Sequence, residues 1–184
     1  KGTIDLRITY SSTIASSHPI LHGYSDADWA ANDLDTRHSH TGYVFYLSNG
    51  PIAWKSCLQS SISLSSMDSE YYSMGDATKE MLELREVHHE VNKLLPSSVL
   101  GRPTTIYAFN VSSIKLSENP VFHKRSKHIA IRHHFLRQFV EENIVKFEYI
   151  KSSENIADIL TKPLHKNQFR PIRAKLMGAF TVLL

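Results

Sequence analysis

The chain has 184 residues, of which 41% are hydrophobic and 21% charged, a composition typical of one globular domain that excludes a disordered or fibrous chain. Its single cysteine, Cys57, excludes an internal disulfide and a cysteine-rich zinc site. The longest apolar run, at 177–184, is far shorter than the roughly 20 residues that a membrane-spanning helix needs.

The first part of the chain predicts a linker followed by strands. Residues 1–20 are rich in Ser and Thr, contain a strand-like run at 4–10, and are expected to link the domain to an upstream region. The turn signal Ser-Asn-Gly-Pro at 48–51 joins two β-rich runs into a hairpin. The strands predicted in this part are 22–25, 42–47, 52–56 and 61–65.

A long helix is predicted next. Apolar residues recur at three- and four-residue spacing from Tyr71 to Leu95, Ser66 and Ser69 supply capping groups, and Pro96 follows the end. Beyond it, the pattern predicts a strand at 104–109, helices at 111–117 and 129–140, a strand at 145–150 and a helix that opens at 155–160. This order predicts a mixed sheet flanked by helices, an α/β fold.

The charges are segregated along a chain whose net charge is +3. Residues 25–90 contain eleven acids and four bases, whereas 115–137 contain six bases, one acid and four histidines. Residues 161–184 contain five bases and no acid. Such runs are often only solvated surface, but separate acidic and basic segments also suit a protein that binds metal ions and a polyanion.

Three acids at the ends of predicted elements suggest a magnesium site. Asp26 lies in an apolar strand context, where a carboxylate is costly unless it is paired, and Asp28 is on the same face if the strand continues. Glu70 and Asp158 each open a predicted helix. Each acid alone has a structural explanation, since carboxylates stabilise helix N-termini. Together they provide the oxygen ligands that hard cations prefer.

Five motifs in order carry a family resemblance: GYSDADWA (23–30), TGYVFYLSNGPIAWKS (41–56), SLSSMDSEYYSM (63–74), NPVFHKRSKHIAIRHHF (119–135) and NIADILTKPL (155–164). With them the chain resembles, from residue 1 to about 176, the ribonuclease H domain of copia-type LTR retrotransposon Pol polyproteins. The predicted division is a linker at 1–20, the ribonuclease H-like domain at 21–176 and an apolar tail at 177–184.

The resemblance implies a ribonuclease H-like fold with a five-stranded mixed sheet flanked by helices. It implies hydrolysis of the RNA strand of an RNA–DNA hybrid with two Mg²⁺ ions, which Mn²⁺ could replace. The implied partners are the hybrid and the reverse transcriptase domain upstream in the same polyprotein, with no membrane partner. The implied location is intracellular, in a retroelement particle or the nucleus, rather than secreted.

Within the resemblance, Asp26, Glu70 and Asp158 match three of the four catalytic, metal-binding acids of the family. The fourth match fails, because residues 107–110 read Tyr-Ala-Phe-Asn where the family has Tyr-Cys-Asp-Asn, so Phe109 replaces an Asp. Three carboxylates hold two divalent ions less well than four, and a bulky aromatic displaces the waters that magnesium keeps. We therefore expect impaired catalysis. The alternative is a catalytically inactive ribonuclease H-like domain that only binds nucleic acid or supports a neighbouring domain.

The basic segment at 115–137 is the expected nucleic-acid surface. Ala130 departs from the family, which has an Asp there, while His128 remains as a candidate for proton transfer or product release. Phosphate contacts would supply affinity with little sequence information. The candidate phosphate-binding residues are Lys124, Arg125, Lys127, Arg132 and Arg137. Four aromatic residues are assigned to the core rather than to base stacking: Trp29, Trp54, Tyr43 and Phe45.

Overall fold

The computed structural model describes residues 5–10, 21–30, 37–47, 50–92, 102–118 and 127–178, with side chains at 127–133 left undescribed. The strands in these ranges are β1 (His22–Asp28), β2 (His40–Leu47), β3 (Gly50–Leu58), β4 (Thr104–Ala108) and β5 (Val145–Tyr149). The α-helices are α1 (Ser66–Asn92), α2 (Val111–Glu118), α3 (Lys127–Glu141) and α4 (Lys166–Leu176). Two short 3-10 helices, η1 (Ser152–Glu154) and η2 (Ile156–Leu160), precede α4.

The five strands form one mixed sheet in the order β3-β2-β1-β4-β5. β1 is antiparallel to β2 and parallel to β4, and β4 is parallel to β5. The sheet is flanked by helices, so the predicted α/β class is confirmed. β1 is the central strand, between β2 and β4. Because helices also cover both faces of the sheet, a polar side chain on β1 can be buried on every side.

Helices cover the two faces of the sheet differently. One buried cluster joins the sheet to α1, α2 and α3 through residues such as Phe45, Met74 and Leu136. The other cluster is smaller and joins Val44 and Tyr46 of β2 to Ile156 of η2 and Ile172 of α4. Because side chains alternate along a strand, neighbouring residues of β2 contribute to opposite clusters.

The β2–β3 hairpin is confirmed, but two of the predicted strands do not form. Residues 61–65 make a bend between β3 and α1, with Ile62 56% exposed and Leu64 75% exposed. The alternation there is too short and too exposed to join the sheet. The described part of the 4–10 run, residues 5–10, is also outside the sheet, and its Thr9 amide donates to the Met177 carbonyl.

The core assignments for the aromatic residues are half right. Tyr43 and Phe45 are buried, as predicted. Trp29 and Trp54 are 48% and 54% exposed, so assigning them to the core is wrong. Trp54 lies on the edge strand β3, and Trp29 follows the end of β1, where its indole Nε1 donates to the Ser63 carbonyl.

The long helix is confirmed, with two corrections. Its N-terminal cap is Ser65 rather than Ser66 or Ser69, since Ser65 Oγ accepts a hydrogen bond from the Asp68 amide at 3.1 Å. The apolar face is buried only in its first part, and Val87 and Val91 are 60% and 56% exposed. Leu95, the last apolar residue of the predicted pattern, lies outside the described residues.

The remaining predicted helices form, except that the one opening at 155–160 does not extend into an α-helix. Residues 156–160 make only the 3-10 helix η2, with Asn155 as its cap, and α4 begins at Lys166. Pro163 lies between them, and the residue before a proline is disfavoured in the α conformation.

Candidate active site

Three buried carboxylates from three separate elements share one region of the molecule. Asp26 comes from β1, Glu70 from the second turn of α1 and Asp158 from η2. These residues are 1%, 4% and 0% exposed, respectively. Isolated buried carboxylates are costly, so their partners determine what this region can do.

The partners of Asp26 and Asp158 come mainly from the segment that follows η2. Lys162 Nζ lies 3.5 Å from Asp26 Oδ2 and 3.2 Å from Asp158 Oδ2. Thr161 Oγ1 donates to Asp26 Oδ2. Ser152 Oγ donates to Asp158 Oδ2 at 2.8 Å. The ammonium of Lys162 therefore bridges the two acids.

Two carboxylate oxygens in this region have no hydrogen-bond partner. They are Glu70 Oε2 and Asp158 Oδ1, and both are buried. Burial and repulsion from Asp26 raise the pKa of Glu70 well above its usual value, against the attraction of Lys162 and a hydrogen bond from the Ala27 backbone. Protons or a cation would therefore satisfy groups that the protein leaves unpaired.

The pKa values of Asp158 and Lys162 are also shifted by burial and by the charges of their neighbours in the site. Burial and the charge of Asp26 raise the pKa of Asp158 to about 6, although Lys162 and the Ser152 hydroxyl oppose the shift. Burial alone would lower the pKa of Lys162, but the two carboxylates outweigh it and raise that pKa. Lys162 is therefore charged at neutral pH and acts as a counterion.

The three acids provide the oxygen ligands that a hard divalent cation prefers, but their side chains are not already arranged around a metal position. They present carboxylate oxygens, and two of those oxygens are unsatisfied. Across the described ranges, no three His, Cys, Asp or Glu side chains already stand grouped as metal ligands. A cation entering between Asp26 and Asp158 would compete with Lys162 for the same oxygens.

A glycine allows η2 to approach the sheet beside Asp26. Gly42 of β2 pairs with Asp26. A Cβ at Gly42 would lie 2.7 Å from Thr161 Cγ2 and 2.9 Å from Leu160 Cβ, which is closer than atoms can pack. The missing side chain therefore lets Thr161 reach the Asp26 carboxylate.

Buried hydrogen bonds fix the carboxylate-bearing elements to one another. Ser73 Oγ of α1 donates to the Asp26 carbonyl at 2.7 Å, and Gln59 Nε2 donates to the Ser69 carbonyl at 2.9 Å. On the other side, Asn155 Nδ2 donates to the Ser25 carbonyl at 2.9 Å. These bonds attach both α1 and the start of η2 to the strands that bear or adjoin Asp26.

Phe109 directly follows β4, the parallel neighbour of the strand that carries Asp26. The parallel register between β1 and β4 ends with Tyr24 opposite Tyr107, and the same register continued for two residues would bring Phe109 opposite Asp26. Phe109 is 42% exposed, and its ring lies 6.3 Å from that of Tyr149. Its ring thus lies towards β5 and solvent and is not part of the core.

Asn110, Asp68 and Asp28 have identifiable structural surroundings. Asn110 Oδ1 caps α2 by accepting from the Ser112 and Ser113 amides at 3.0 Å and 3.1 Å. Asp68 accepts from the Leu64 amide at the start of α1. Asp28 is the last residue of β1 and shares the face of Asp26, as expected for a continuing strand.

The predicted nucleic-acid residues are only partly placed. Arg137 lies on α3, where its Nε is 3.3 Å from Glu141 Oε1. Lys127, His128, Ala130 and Arg132 belong to α3, but their side chains are outside the described set. Lys124 and Arg125 lie outside the described residues altogether. Their roles stay predictions.

Reasoning from the sequence missed the residues that surround the acids. Lys162 and Thr161 directly follow η2, and Ser152 lies in η1. One signal could have identified Lys162, since it lies four residues after Asp158, a spacing that brings side chains together in helical turns. Thr161 and Ser152 carry no comparable signal in the sequence.

Comparison with curated proteins finds relatives among plant transposon polyproteins. The chain is 39% identical over 153 residues to the retrovirus-related Pol polyprotein from transposon TNT 1-94 of Nicotiana tabacum, covering 83% of the chain and 11% of that protein. It is also 39% identical over 156 residues to the corresponding polyprotein from transposon RE1 of Arabidopsis thaliana, covering 85% and 10%. The chain thus spans about a tenth of the length of these relatives.

Comparison with solved structures finds ribonuclease H domains. The N-terminal RNase H domain of a Mycobacterium tuberculosis protein matches 88% of the chain and 99% of its own length, with a TM-score of 0.54 and 10% identity. LC11-RNase H1, isolated from compost, matches 77% of the chain and 92% of its own length, with a TM-score of 0.53 and 12% identity. No protein-family model matches the chain. None of the helices in the described ranges has an apolar stretch long enough to span a bilayer.

Proposed function

We propose that this chain, which has a ribonuclease H-like fold and is homologous to a segment of the Pol polyproteins of plant copia-like transposons, hydrolyses the RNA strand of RNA–DNA hybrids. The observation that supports this most is the set of buried acids Asp26, Glu70 and Asp158, which leaves two carboxylate oxygens unpaired. A protein retains such a costly arrangement where a cation is to be bound.

In the proposed reaction, Asp26, Glu70 and Asp158 hold two Mg²⁺ ions, which Mn²⁺ can replace. When bound, such ions activate water and offset the charge of the leaving 3′-oxygen in phosphodiester hydrolysis. Asp26 and Asp158 come from opposite sides of the site, one in a central strand and the other in η2. Asn155 attaches the start of η2 to β1 by donating to the Ser25 carbonyl, and Ser73 attaches α1, which carries Glu70, by donating to the Asp26 carbonyl.

The proposed partners follow from the same comparison. One structure with a similar fold is LC11-RNase H1 in complex with an RNA/DNA hybrid, at a TM-score of 0.52 and 13% identity. We propose a hybrid as the substrate here too, recognised by groove shape and 2′-hydroxyls. The reverse transcriptase domain of the same polyprotein is the proposed covalent neighbour, and the proposed location is intracellular.

A second candidate function is a catalytically inactive domain that only binds nucleic acid or supports its neighbours. Phe109 favours this candidate, since it follows β4, the neighbour of β1, at the position where the family resemblance implies a fourth carboxylate. Lys162 favours it as well, because its ammonium already pairs with Asp26 and Asp158 and offsets one of their charges. The two candidates share a fold and differ in whether the acids can exchange Lys162 for metal ions.

Cleavage of a labelled RNA–DNA hybrid by the purified chain distinguishes the two candidates. The proposed nuclease cleaves the RNA strand with Mg²⁺ or Mn²⁺ and leaves a DNA–DNA duplex intact. Asp26→Asn is the matched control, and it should lose at least about 100-fold in rate, as changes to metal sites commonly do. Binding of the hybrid without cleavage by either metal would support the inactive candidate instead.

A further inference from the structure

The helix α4 is basic throughout and contains no acid. Its residues Lys166–Leu176 include Lys166, Arg170, Arg173 and Lys175. In the described part of the chain, no ion pair joins any of these four bases to a carboxylate. This basic helix is distinct from the 115–137 segment, from which the sequence predicts nucleic-acid binding.

Three of these bases form one stripe along the helix, which we call the α4 stripe: Lys166, Arg170 and Arg173. Their spacing of four and then three residues places them on one side of an α-helix. Lys166 and Arg170 are exposed, while Arg173 is partly buried with its guanidinium 5.5 Å from the centre of the Phe169 ring. From Lys166 to Arg173 the stripe covers seven helical steps, or about 10 Å along the axis.

The α4 stripe is unfavourable for the isolated helix. Like charges four residues apart destabilise a helix, and a base in the first turn opposes the helix dipole. Lys166 is the first residue of α4, and the first turn has no acid to compensate for it. A polyanion bound along the stripe would remove both costs.

The position of α4 relates the stripe to the candidate active site. Ile172 of α4 is buried in the same cluster as Ile156 of η2, the 3-10 helix that carries Asp158. In contrast, α3 packs on the other face of the sheet through Leu136. A strand that reaches the acids can therefore continue along α4 on a face that α3 does not serve.

We infer that the α4 stripe binds the sugar–phosphate backbone of the nucleic acid on which the proposed nuclease acts. The stripe presents three cationic side chains along about 10 Å, so it can neutralise at most about three phosphates. The stacking of Arg173 on Phe169 holds its planar fork ready for a phosphate. This inference rests on the proposed function, because it takes the hybrid as the polyanion.

The test is the salt dependence of hybrid binding by the full chain, measured by fluorescence anisotropy in chelator. The stripe variant combines Lys166→Gln, Arg170→Gln and Arg173→Gln. The control variant combines Lys55→Gln, Lys79→Gln and Lys146→Gln, which removes the same charge from β3, α1 and β5. Thermal unfolding confirms that each variant folds, and a variant with Lys166→Arg, Arg170→Lys and Arg173→Lys retains the charge.

Because the stripe variant can no longer pair with three phosphates, its slope of log K against log salt should be shallower by about 2 to 3, at about 0.9 per phosphate. The control and the charge-retaining variants should keep the wild-type slope.

Equal slopes for the stripe and control variants would overturn the inference while leaving the nuclease proposal intact. Wild type that neither binds nor cleaves the hybrid would instead reject the proposed function. Stripe-dependent binding to phosphatidylserine vesicles but not to the hybrid would also overturn the inference.

Discussion

Lys162 Nζ lies 3.2 Å from Oδ2 of Asp158, the residue four positions earlier in the chain. The same ammonium is 3.5 Å from Asp26, so one positive charge is shared between two buried carboxylates that lie far apart in sequence. Lys162 is 32% exposed, which gives it a route out of the site. The Lys162 ammonium is therefore a counterion of Asp26 and Asp158, and it occupies the position where the proposed metal ions would bind.

Replacing this lysine should separate its structural role from its competition with metal. In chelator, Lys162→Met is expected to lower the free energy of unfolding by about 3 kcal/mol, because removing one partner of a buried ion pair leaves charge uncompensated. Added Mg²⁺ should then stabilise the variant more than it stabilises wild type, as measured by urea unfolding with and without the metal.

Lys79→Met is the matched control for the lysine substitution. Its ion pair with Asp76 spans 3.4 Å on the surface, with the lysine side chain 56% exposed. Loss of this pair should cost less than about 1 kcal/mol and leave the magnesium response unchanged. If Lys162→Met and wild type respond equally to Mg²⁺, the lysine does not compete with the metal.

The stability of the metal-free protein should rise as the pH falls from neutral towards 5.5. The pKa of Asp158 is raised to about 6 and that of Glu70 is also raised, so the folded state binds protons that the unfolded state has released. Stability from a raised pKa is fully present below the unfolded value and is lost as the pH rises through the folded value. Each such proton contributes at most about 1.4 kcal/mol per pH unit.

Urea unfolding in chelator at pH 7.5, 6.5 and 5.5 measures this dependence. Asp158→Asn should flatten the curve in part, because it removes one of the carboxyl groups with a raised pKa, while Glu70 and Asp28, whose pKa values are also raised, remain. His88 opposes the trend, since burial and Arg85 lower its pKa, and it contributes equally to wild type and variant. Parallel curves for the two proteins would show that Asp158 does not take up the proton.

Phe109→Asp should raise hybrid cleavage by supplying a fourth carboxylate beside Asp26. Phe109 is 42% exposed, so its removal should cost much less than the about 3–5 kcal/mol of a fully buried Phe. The new charge adds repulsion in chelator and becomes favourable with Mg²⁺, so stability should depend on metal more steeply than in wild type. Steady-state cleavage and thermal unfolding in EDTA and in Mg²⁺ test both parts.

Phe109→Asn controls for loss of the ring without gain of charge, and Phe109→Asp with Asp26→Asn should lose both the activity and the metal response. If Phe109→Asp folds normally and cleaves no faster than wild type, the missing fourth carboxylate does not limit the rate. Full cleavage by wild type would show that three carboxylates suffice.

Gly42→Ala should disturb the site without changing any charged group. The added methyl meets Thr161 Cγ2 and Leu160 Cβ, so η2 must move away from β2, and the hydrogen bond from Thr161 to Asp26 is lost. Overpacking of this kind costs about 1–3 kcal/mol. The affinity for Mg²⁺, measured by calorimetry, should fall by more than it does in Gly75→Ala, where a methyl meets nothing within 4 Å.

Hybrid binding through the predicted basic segment at 115–137 should weaken steeply with salt. The double variant Lys124→Ala with Arg125→Ala should make the slope of log K against log salt shallower by about 1.8, or about 0.9 for each phosphate that is no longer neutralised. Anisotropy of a labelled hybrid between low and physiological salt measures it. An unchanged slope would remove these two residues from the interface.

Local pattern determined most of the elements, whereas the three acids were selected as a set by the family resemblance. The 3.6-residue periodicity located α1, and the β-rich runs around a turn signal located the β2–β3 hairpin. These features depend on interactions between residues close in sequence, so they can be predicted without knowledge of the tertiary structure. The strand predicted from the short alternation at 61–65 does not form. Local pattern does not show whether a neighbouring strand is available for pairing.

Only the tertiary structure decided what surrounds the acids. Asp26 meets Thr161 and Lys162 because Gly42, its partner on β2, leaves room for η2 to approach the sheet. That contact joins residues about 135 positions apart, and a hydroxyl or ammonium carries no sequence signal for so distant a partner. Burial likewise arises only when helices cover both faces of the sheet, and burial together with the neighbouring charges raises the pKa values of Glu70 and Asp158.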